Sequence, residues 1–412
     1  MSLTVQQLNA DSSFLLTFKP SFAPRNVKGK FPGSFSILID PWLDGASSVF
    51  HPKFATTYHT SPSSVRSLQE LKDEVDVIVI SQDKPDHCHQ ETLCSLSKNS
   101  KTKIFATPKA AFKIREWKHF NDPSIIEEIP TYSTSKGEAA FLRIPIEPYS
   151  SSSAAGEITI TNVTTKADLT RLHNGIGITY RPPGTILTTI DGDLIKLGDL
   201  PMSARPGTQN PPFKTIRKMP SISSPIGIIK GIRPRSPTSP SSPQSKPDSF
   251  DSRHRPRTSF DRKPDAFGSS TPRSNYESVM SVLYTPHGIE PSNLRPYIDN
   301  HLAALPGALP ITALFHALNM EANPKLLGGL ISTGAPGGVE IVKEVDVKYW
   351  ISAHDEIKQN EGWATKFMSS RVYDVEEAIK LLRVTGGIGS DKGKRTVVES
   401  LGNGGVRTYR GG

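Results

Sequence analysis

The sequence predicts an α/β fold in which strands and helices form layers around a common core. Strand-like and helix-like segments alternate in both halves of the 412-residue chain. A basic segment rich in proline and serine, residues 202–276, separates these two halves. Several apolar strands end in clusters of aspartate and histidine, which is where an α/β sheet usually carries its functional groups.

The first half contains most of the predicted strands. The assignments rest on alternating or continuous apolar runs for strands and on helical periodicity for helices. In chain order we predict strands at SLTVQQL, SSFLLTF and SFSILID, a helix at SSVRSLQEL, a strand at VDVIVIS, a helix at HQETLCSLS, a strand at KIFATP, a helix at AAFKIREW, and strands at EITITNV, GIGITYR and TILTTI.

The second half continues the alternation after residue 276. SVLYTPHG is predicted as a strand that ends in a turn, and HLAALPGALPITALFHAL as a loop followed by a core helix, because it contains two prolines and two histidines. KYWISAHDE is predicted as a strand and VEEAIKLL as a helix. The glycine-rich segment 386–412 is expected to be peripheral. Residues 1–201 and 277–385 are therefore expected to form one domain.

The segment 202–276 is expected to be disordered. It holds 13 of the 35 prolines and few aromatic residues, so it cannot bury enough apolar surface to offset its ordering entropy. Kinases are candidate partners, since Ser236, Ser239, Ser242 and Thr271 each precede a proline. The alternative is an inert insertion that the fold tolerates.

The charge distribution argues against a nucleic-acid partner. The net charge is +9, but residues 202–276 carry 14 Lys and Arg against 4 Asp and Glu, whereas the rest of the chain carries 35 and 36. The predicted folded part is thus nearly neutral. Two cysteines are too few for a disulfide framework. No signal peptide or membrane span is recognised, so a soluble, cytoplasmic protein without a membrane partner is expected.

Four predicted strands end in residues that bind metals. ILIDPWLDG supplies Asp40, VIVISQDKPDHC supplies Asp86 and His87, LYTPHG supplies His287, and YWISAHDE supplies His354. Strands that deliver carboxylates and imidazoles to one edge of a sheet can assemble a metal site from distant positions.

These motifs, in this order, resemble the metallo-β-lactamase superfamily, and within it the branch similar to ascorbate-phosphate lactonase. The resemblance covers roughly residues 1–200 and 277–385, and it implies an αββα sandwich with metal bound in a cleft at the strand ends. The metal-binding motif is degenerate here, because Gln82 and Lys84 occupy the positions of its two leading histidines. Only His173 could replace the family's separate histidine, so a binuclear site is not expected.

The resemblance implies one remaining metal position, held by Asp86, His87, His287 and His354. One carboxylate and three imidazoles suit a single zinc or iron ion. Asp199 in KLGDLP competes with His287 as a ligand, and His287 is preferred. Lys84 is expected to be the catalytic group at the mouth of the cleft, where it would bind an anionic part of the substrate or a developing oxyanion.

Purely structural roles are the alternative for each of these residues. Asp86 could be the N-cap of the following helix, His287 could shape a turn, and His354 could bond to Asp355 or Glu356. Asp40 before Pro41 is interpreted mainly as a turn residue. Cys88 is interpreted as a buried thiol rather than a ligand, and His316 as a core histidine.

Two functions follow from these alternatives. The first is a metal-dependent hydrolase that cleaves an ester, lactone or phosphoester of a small molecule. The second is a non-catalytic scaffold of the same fold, regulated through phosphorylation of residues 202–276. Metal content distinguishes them, because only the hydrolase requires a metal.

Overall fold

Two seven-stranded sheets form the frame of the protein in the computed structural model. The structure describes residues 1–21, 31–71, 74–149, 154–166, 168, 170–184, 186–188, 194–196, 278–384, 393 and 395–411. The predicted disordered segment 202–276 and the alternative ligand Asp199 lie outside the described residues.

The described residues form strands, α-helices and short 3₁₀ turns. The strands are β1 (Ser2–Gln7), β2 (Phe14–Lys19), β3 (Phe35–Ile39), β4 (Ser47–Val49), β5 (Ala55–Tyr58), β6 (Val77–Ile80), β7 (Lys103–Ala106), β8 (Ile126–Glu128), β9 (Leu142–Ile146), β10 (Gly156–Thr164), β11 (Asn174–Arg181), β12 (Ile186–Thr188), β13 (Leu194–Lys196), β14 (Met280–Tyr284), β15 (Ile311–His316), β16 (Met320–Ala322), β17 (Leu330–Thr333), β18 (Val347–Ser352), β19 (Gln359–Glu361), β20 (Ser369–Arg371), β21 (Val397–Glu399) and β22 (Val406–Arg410). The helices are α1 (Gln90–Leu93), α2 (Pro108–Glu116), α3 (Pro291–Asn300), α4 (Gly334–Val345) and α5 (Val375–Val384).

Each large sheet combines an antiparallel half with a parallel half. The first sheet has the order β22-β1-β2-β3-β6-β7-β8, and its strands run parallel from β3 to β8. The second has the order β21-β18-β15-β14-β11-β10-β9, and its strands run parallel from β14 to β21. The parallel halves contain the strands β3, β6, β14 and β18, which end in the predicted metal-binding motifs.

The two sheets pack face to face, and helices cover their outer faces. Side chains of both sheets, such as Ile37, Val79 and Phe315, share one buried cluster. A second cluster joins the first sheet to α1 and α2, and a third joins the second sheet to α3, α4 and α5. Strands of the parallel halves are apolar on both faces because each face meets a buried layer. The predicted αββα sandwich is confirmed.

Two predicted helices are wrong. SSVRSLQEL contains only a 3₁₀ turn at Leu68–Leu71, in which Leu68 and Leu71 are buried. ITALFHAL contains the strand β15, which lies between β14 and β18 and is buried throughout. A strand covered on both faces has no period-2 polarity, so its apolar run resembles a core helix.

The last described strands lie at sheet edges. Within the segment that was predicted to be peripheral, β21 pairs with β18 at the edge of the second sheet, and β22 pairs with β1 at the edge of the first. Among the described residues, no helix combines the length and apolarity that crossing a membrane requires.

Candidate metal centre

Four side chains from three strand ends converge in the cleft. Asp86 and His87 follow β6, His287 follows β14, and His354 follows β18. One potential ligand atom from each lies within 4.8 Å of the others. We call these four residues the Asp/His cluster. The structure therefore brings together all four residues that the family resemblance named as ligands.

The facing atoms of the cluster are ring nitrogens and a carboxylate oxygen. Nε2 of His87 lies 2.9 Å from Nε2 of His287. Oδ2 of Asp86 lies 3.8 Å from Nε2 of His87 and 3.8 Å from Nε2 of His354. The three histidines are buried, and Asp86 is half-buried toward the cleft.

Asp40 fixes the orientation of His87. The Nδ1–H of His87 donates to Oδ2 of Asp40 at 2.7 Å. The hydroxyl and the backbone N–H of Ser81 donate to the same carboxylate at 2.5 and 2.7 Å. Because Nδ1 of His87 carries the proton, its Nε2 lone pair points into the cluster, as in carboxylate–histidine–metal arrangements. Asp40 therefore orients His87 in addition to ending strand β3.

Asp11 gives His354 a similar support. The Nδ1–H of His354 donates to Oδ2 of Asp11 at 2.9 Å, and the ammonium of Lys358 donates to the same oxygen at 3.0 Å. The backbone of His354 is left-handed, with φ of 69°, and its N–H donates to the carbonyl of Asp11 at 3.2 Å. A non-glycine residue stays in this region only when its surroundings hold it there.

His287 lacks such a partner. Its Nδ1 is buried and has no hydrogen-bond partner among the described residues. In either neutral tautomer of His287, Nδ1 is therefore left unsatisfied. It carries an unbonded lone pair in one tautomer and an unbonded proton in the other. If the proton is on Nδ1, the Nε2 lone pair of His287 also faces the Nε2 lone pair of His87. A cation between these nitrogens would remove that repulsion, so the donor set fits a metal ion.

The charges around the histidines also fit a divalent cation. Asp11, Asp40 and Asp86 contact the histidines with three negative charges, and Lys358 contributes one positive charge. With neutral imidazoles, this set has two negative charges in excess, which a divalent ion would balance.

The pKa values of the cluster residues are shifted by burial and by the charges of their neighbours. Burial would raise the pKa of Asp86, but the charges of His87 and His354 lower it overall. Burial would lower the pKa of His87, yet Asp86 and Asp40 raise it. Burial and the neighbouring His354 and His87 hold the pKa of His287 well below its usual value. His287 is therefore neutral and able to bind a metal at physiological pH.

A cavity of about 650 Å³ opens onto the cluster. Lys84, the predicted catalytic residue, lines this cavity together with Asp86, His287 and His354, and it is half-buried. The backbone carbonyl of Lys84 accepts hydrogen bonds from the N–H groups of His87 and Cys88. Lys84 and the cluster therefore face the same cavity.

The other positions of the degenerate motif are engaged elsewhere. Gln82 donates to the carbonyl of Leu172 at 2.8 Å and to Oδ1 of Asn174 at 3.1 Å. His173 is outside the cluster, and its N–H donates to Asp168. Among the described residues, Gln82 and His173 therefore supply no ligand to this cluster.

The hydrogen bonds and burial of Asp86, His354 and Cys88 bear on the purely structural roles considered for them. The N-cap of α1 is His89, whose side chain accepts from the N–H of Thr92, so Asp86 does not cap this helix. Asp355 and Glu356 bond to other groups, and His354 bonds to Asp11 instead. Burial raises the pKa of the Cys88 thiol to about 12, so Cys88 stays a neutral, buried thiol.

Sequence reasoning missed Asp11 and Lys358. Asp11 lies in the turn between β1 and β2 and is fully buried. Lys358 lies four residues after His354 in a loop, with a side chain that is 12% exposed. An aspartate in a hairpin turn and a lysine in a loop are common, so neither carries a recognisable signal.

Comparisons with known proteins return structural similarity without sequence similarity. No protein-family profile and no curated protein sequence matches the chain. The fold is similar to that of Igni18, a metallo hydrolase from Ignicoccus hospitalis, with a TM-score of 0.41, 10% identity, and coverage of 100% of this chain and 99% of that one. It is also similar to isothiocyanate hydrolase from Delia radicum gut bacteria, with a TM-score of 0.44, 10% identity, and coverage of 100% and 99%. CmlA, a diiron beta-hydroxylase from Streptomyces venezuelae, aligns with a TM-score of 0.43 and 12% identity over 99% of this chain and 54% of that one.

Proposed function

We propose that this protein is a metal-dependent hydrolase of the metallo-β-lactamase superfamily with one zinc or iron ion. Its substrate is an ester, lactone or phosphoester of a small molecule, as in the branch similar to ascorbate-phosphate lactonase. The observation that supports this most is the convergence of Asp86, His87, His287 and His354 at the base of a cavity.

The four residues of the Asp/His cluster would hold the ion. A zinc or iron ion supplies Lewis acidity, which polarises the bond to be cleaved and lowers the pKa of water to about 7. Asp40 and Asp11 keep the protons of His87 and His354 on Nδ1. Both Nε2 atoms are thereby kept available to the ion.

Lys84 is the proposed substrate-binding group. Its ammonium would attract an anionic part of the substrate and stabilise negative charge that develops on the attacked group. Because it has this role, replacing Lys84 by methionine should raise KM for anionic substrates at least tenfold and change KM for neutral esters by less than threefold. Lys101→Met, at an exposed lysine outside the cavity lining, is the control.

Hydrolysis of a substrate panel tests the proposal. The zinc- or iron-loaded chain is assayed with lactones, carboxylic esters and phosphoesters, beside the double variant His87→Ala, His354→Ala. We expect at least one class to be cleaved, with a loss of more than 100-fold in the double variant. No turnover above the double variant would favour the non-catalytic scaffold, with kinases acting on residues 202–276 as its proposed regulators.

A further inference from the structure

Four aromatic side chains lie in contact at the mouth of the cavity. Phe50, Phe54, Trp363 and Phe367 form this group, which we call the mouth cluster. Ring centroids lie 5.4 Å apart for Phe50 and Phe54, 5.0 Å for Phe54 and Trp363, and 6.4 Å for Trp363 and Phe367. Phe50 is 92% exposed, Phe367 57% and Trp363 51%. A contiguous exposed patch of large apolar residues marks a contact surface.

Backbone hydrogen bonds hold this patch in place. Strands β5 and β19 pair in a small sheet with β4, which brings residues 50–54 beside residues 359–367. The N–H of Trp363 donates to the carbonyl of Lys53 at 3.2 Å, and the N–H of Ala364 donates to the carbonyl of Phe54 at 3.0 Å. The aromatic rings are therefore presented by an ordered scaffold.

The patch is continuous with the cavity of the Asp/His cluster. Phe50 and Phe54 line this cavity, and so do Ile331, Ile357, Met368 and Val372. The same cavity also has polar and charged lining, which includes Asp86, His287 and His354 of the cluster and the lysines Lys84 and Lys358. The cavity thus combines charged groups at the cluster with apolar groups at its mouth. Its volume of about 650 Å³ exceeds what a small polar group would fill.

We propose that the substrate is an amphiphile with a hydrocarbon chain. This inference rests on the hydrolase function proposed above and specifies its substrate class. The ester or phosphoester group lies at the Asp/His cluster, where Lys84 complements the negative charge that a phosphoester carries or that develops on an attacked ester. The hydrocarbon chain lies along Phe50, Phe54 and Ile357 and extends to the exposed rings of the mouth cluster.

Chain-length dependence of binding tests the proposal directly. Butyrate, octanoate and dodecanoate, each below its micelle concentration, are titrated into the full chain by calorimetry. Fluorescence gives a second readout from the four tryptophans: Trp42 and Trp350 are fully buried, Trp117 is half-buried and does not line the cavity, and Trp363 is exposed. We expect affinity to rise by about two- to fourfold per methylene group, and Trp363 emission to shift to shorter wavelength.

Serine variants locate the binding surface. Phe50→Ser and Phe54→Ser should each weaken dodecanoate binding at least fivefold and leave butyrate binding unchanged. Phe50 is almost fully exposed, so its substitution cannot disturb the core. Phe112→Ser is the matched control, because Phe112 is 65% exposed on α2 and does not line the cavity. Equal affinity for all three acids, or dodecanoate binding that is insensitive to Phe50→Ser and Phe54→Ser, would overturn the proposal.

The same design separates this inference from the hydrolase function. Chain-length-dependent binding without cleavage of any dodecanoyl ester, long-chain lactone or dodecyl phosphoester supports the apolar subsite and contradicts the hydrolase function. Cleavage of acetyl and dodecanoyl esters with equal kcat/KM, together with chain-independent binding, supports the hydrolase and overturns the amphiphile substrate.

Discussion

Replacing Asp40 by asparagine changes one buried carboxylate oxygen into an amide group of the same size. The carboxylate accepts hydrogen bonds from Nδ1 of His87 at 2.7 Å and from the hydroxyl and N–H of Ser81. If the amide oxygen keeps the bond to the Ser81 N–H, the amide NH₂ faces Nδ1 of His87. Two donors cannot bond, so the His87 proton moves to Nε2 and points toward His287.

The size of the effect follows from these contacts. Removal of an outer carboxylate partner of a metal-binding histidine typically lowers metal affinity by about 10- to 100-fold. Loss of charge-assisted hydrogen bonds to a buried group also costs about 1.5–3 kcal/mol of stability. We therefore expect Asp40→Asn to remain folded, to have a lower free energy of unfolding, and to bind zinc 10- to 100-fold more weakly.

Competition with a chromogenic chelator at pH 8 measures the zinc affinity, and urea unfolding of the metal-free chain measures stability. Asp122→Asn is the matched control, since Asp122 is only half-buried, does not line the cavity and caps only the 3₁₀ turn at Pro123–Ile125. Unchanged zinc affinity in folded Asp40→Asn would show that Asp40 does not set the tautomer of His87.

Two further predictions concern stability. Gly338→Ala on α4 would place a Cβ 2.2 Å from the fully buried ring of Trp350. Urea unfolding should therefore show a free energy of unfolding lower by about 1–3 kcal/mol, despite the better helix propensity of alanine. A higher free energy of unfolding would contradict this packing. Burial, with the charges of Arg143 and Arg181, lowers the pKa of His301 from 6.5 to about 3. Below pH 6.5 the unfolded chain binds a proton that the folded chain does not, so His301→Leu should lose about 2 kcal/mol less stability than the wild type between pH 7 and pH 5. Equal losses in both proteins would place His301 in a more polar environment.

The residue pattern predicted the Asp/His cluster better than it predicted some of the surrounding fold. Strand ends are recognisable because a continuous apolar run such as VIVI stops at polar residues, and parallel strands carry their ends to one edge. This is why Asp86, His87, His287 and His354 could be grouped with Asp40 before their positions were known, and the family resemblance then selected these four as ligands. Alternation of strands and helices likewise indicated α/β layers, whereas the arrangement of two sheets face to face came from the family resemblance.

Other features depend on tertiary contacts that sequence patterns do not encode. The apolar segment that contains β15 was assigned to a helix, because burial on both faces removes the polarity that distinguishes a strand. Asp11 acquires its role only through contact with His354, 343 residues away. The mouth cluster joins residues 50–54 with residues 363–367, and nothing in either segment alone indicates that their rings meet.

Metal content of the full chain, purified without a metal-binding tag, tests the metal site most directly. Elemental analysis should find about one zinc or iron ion per wild-type chain, and Asp122→Asn should retain it. The double variant His87→Ala, His354→Ala should contain less than a tenth of that amount while keeping its circular dichroism spectrum. If the wild type holds no metal after zinc or iron is supplied, or if the double variant holds as much as the wild type, the Asp/His cluster is not a metal centre.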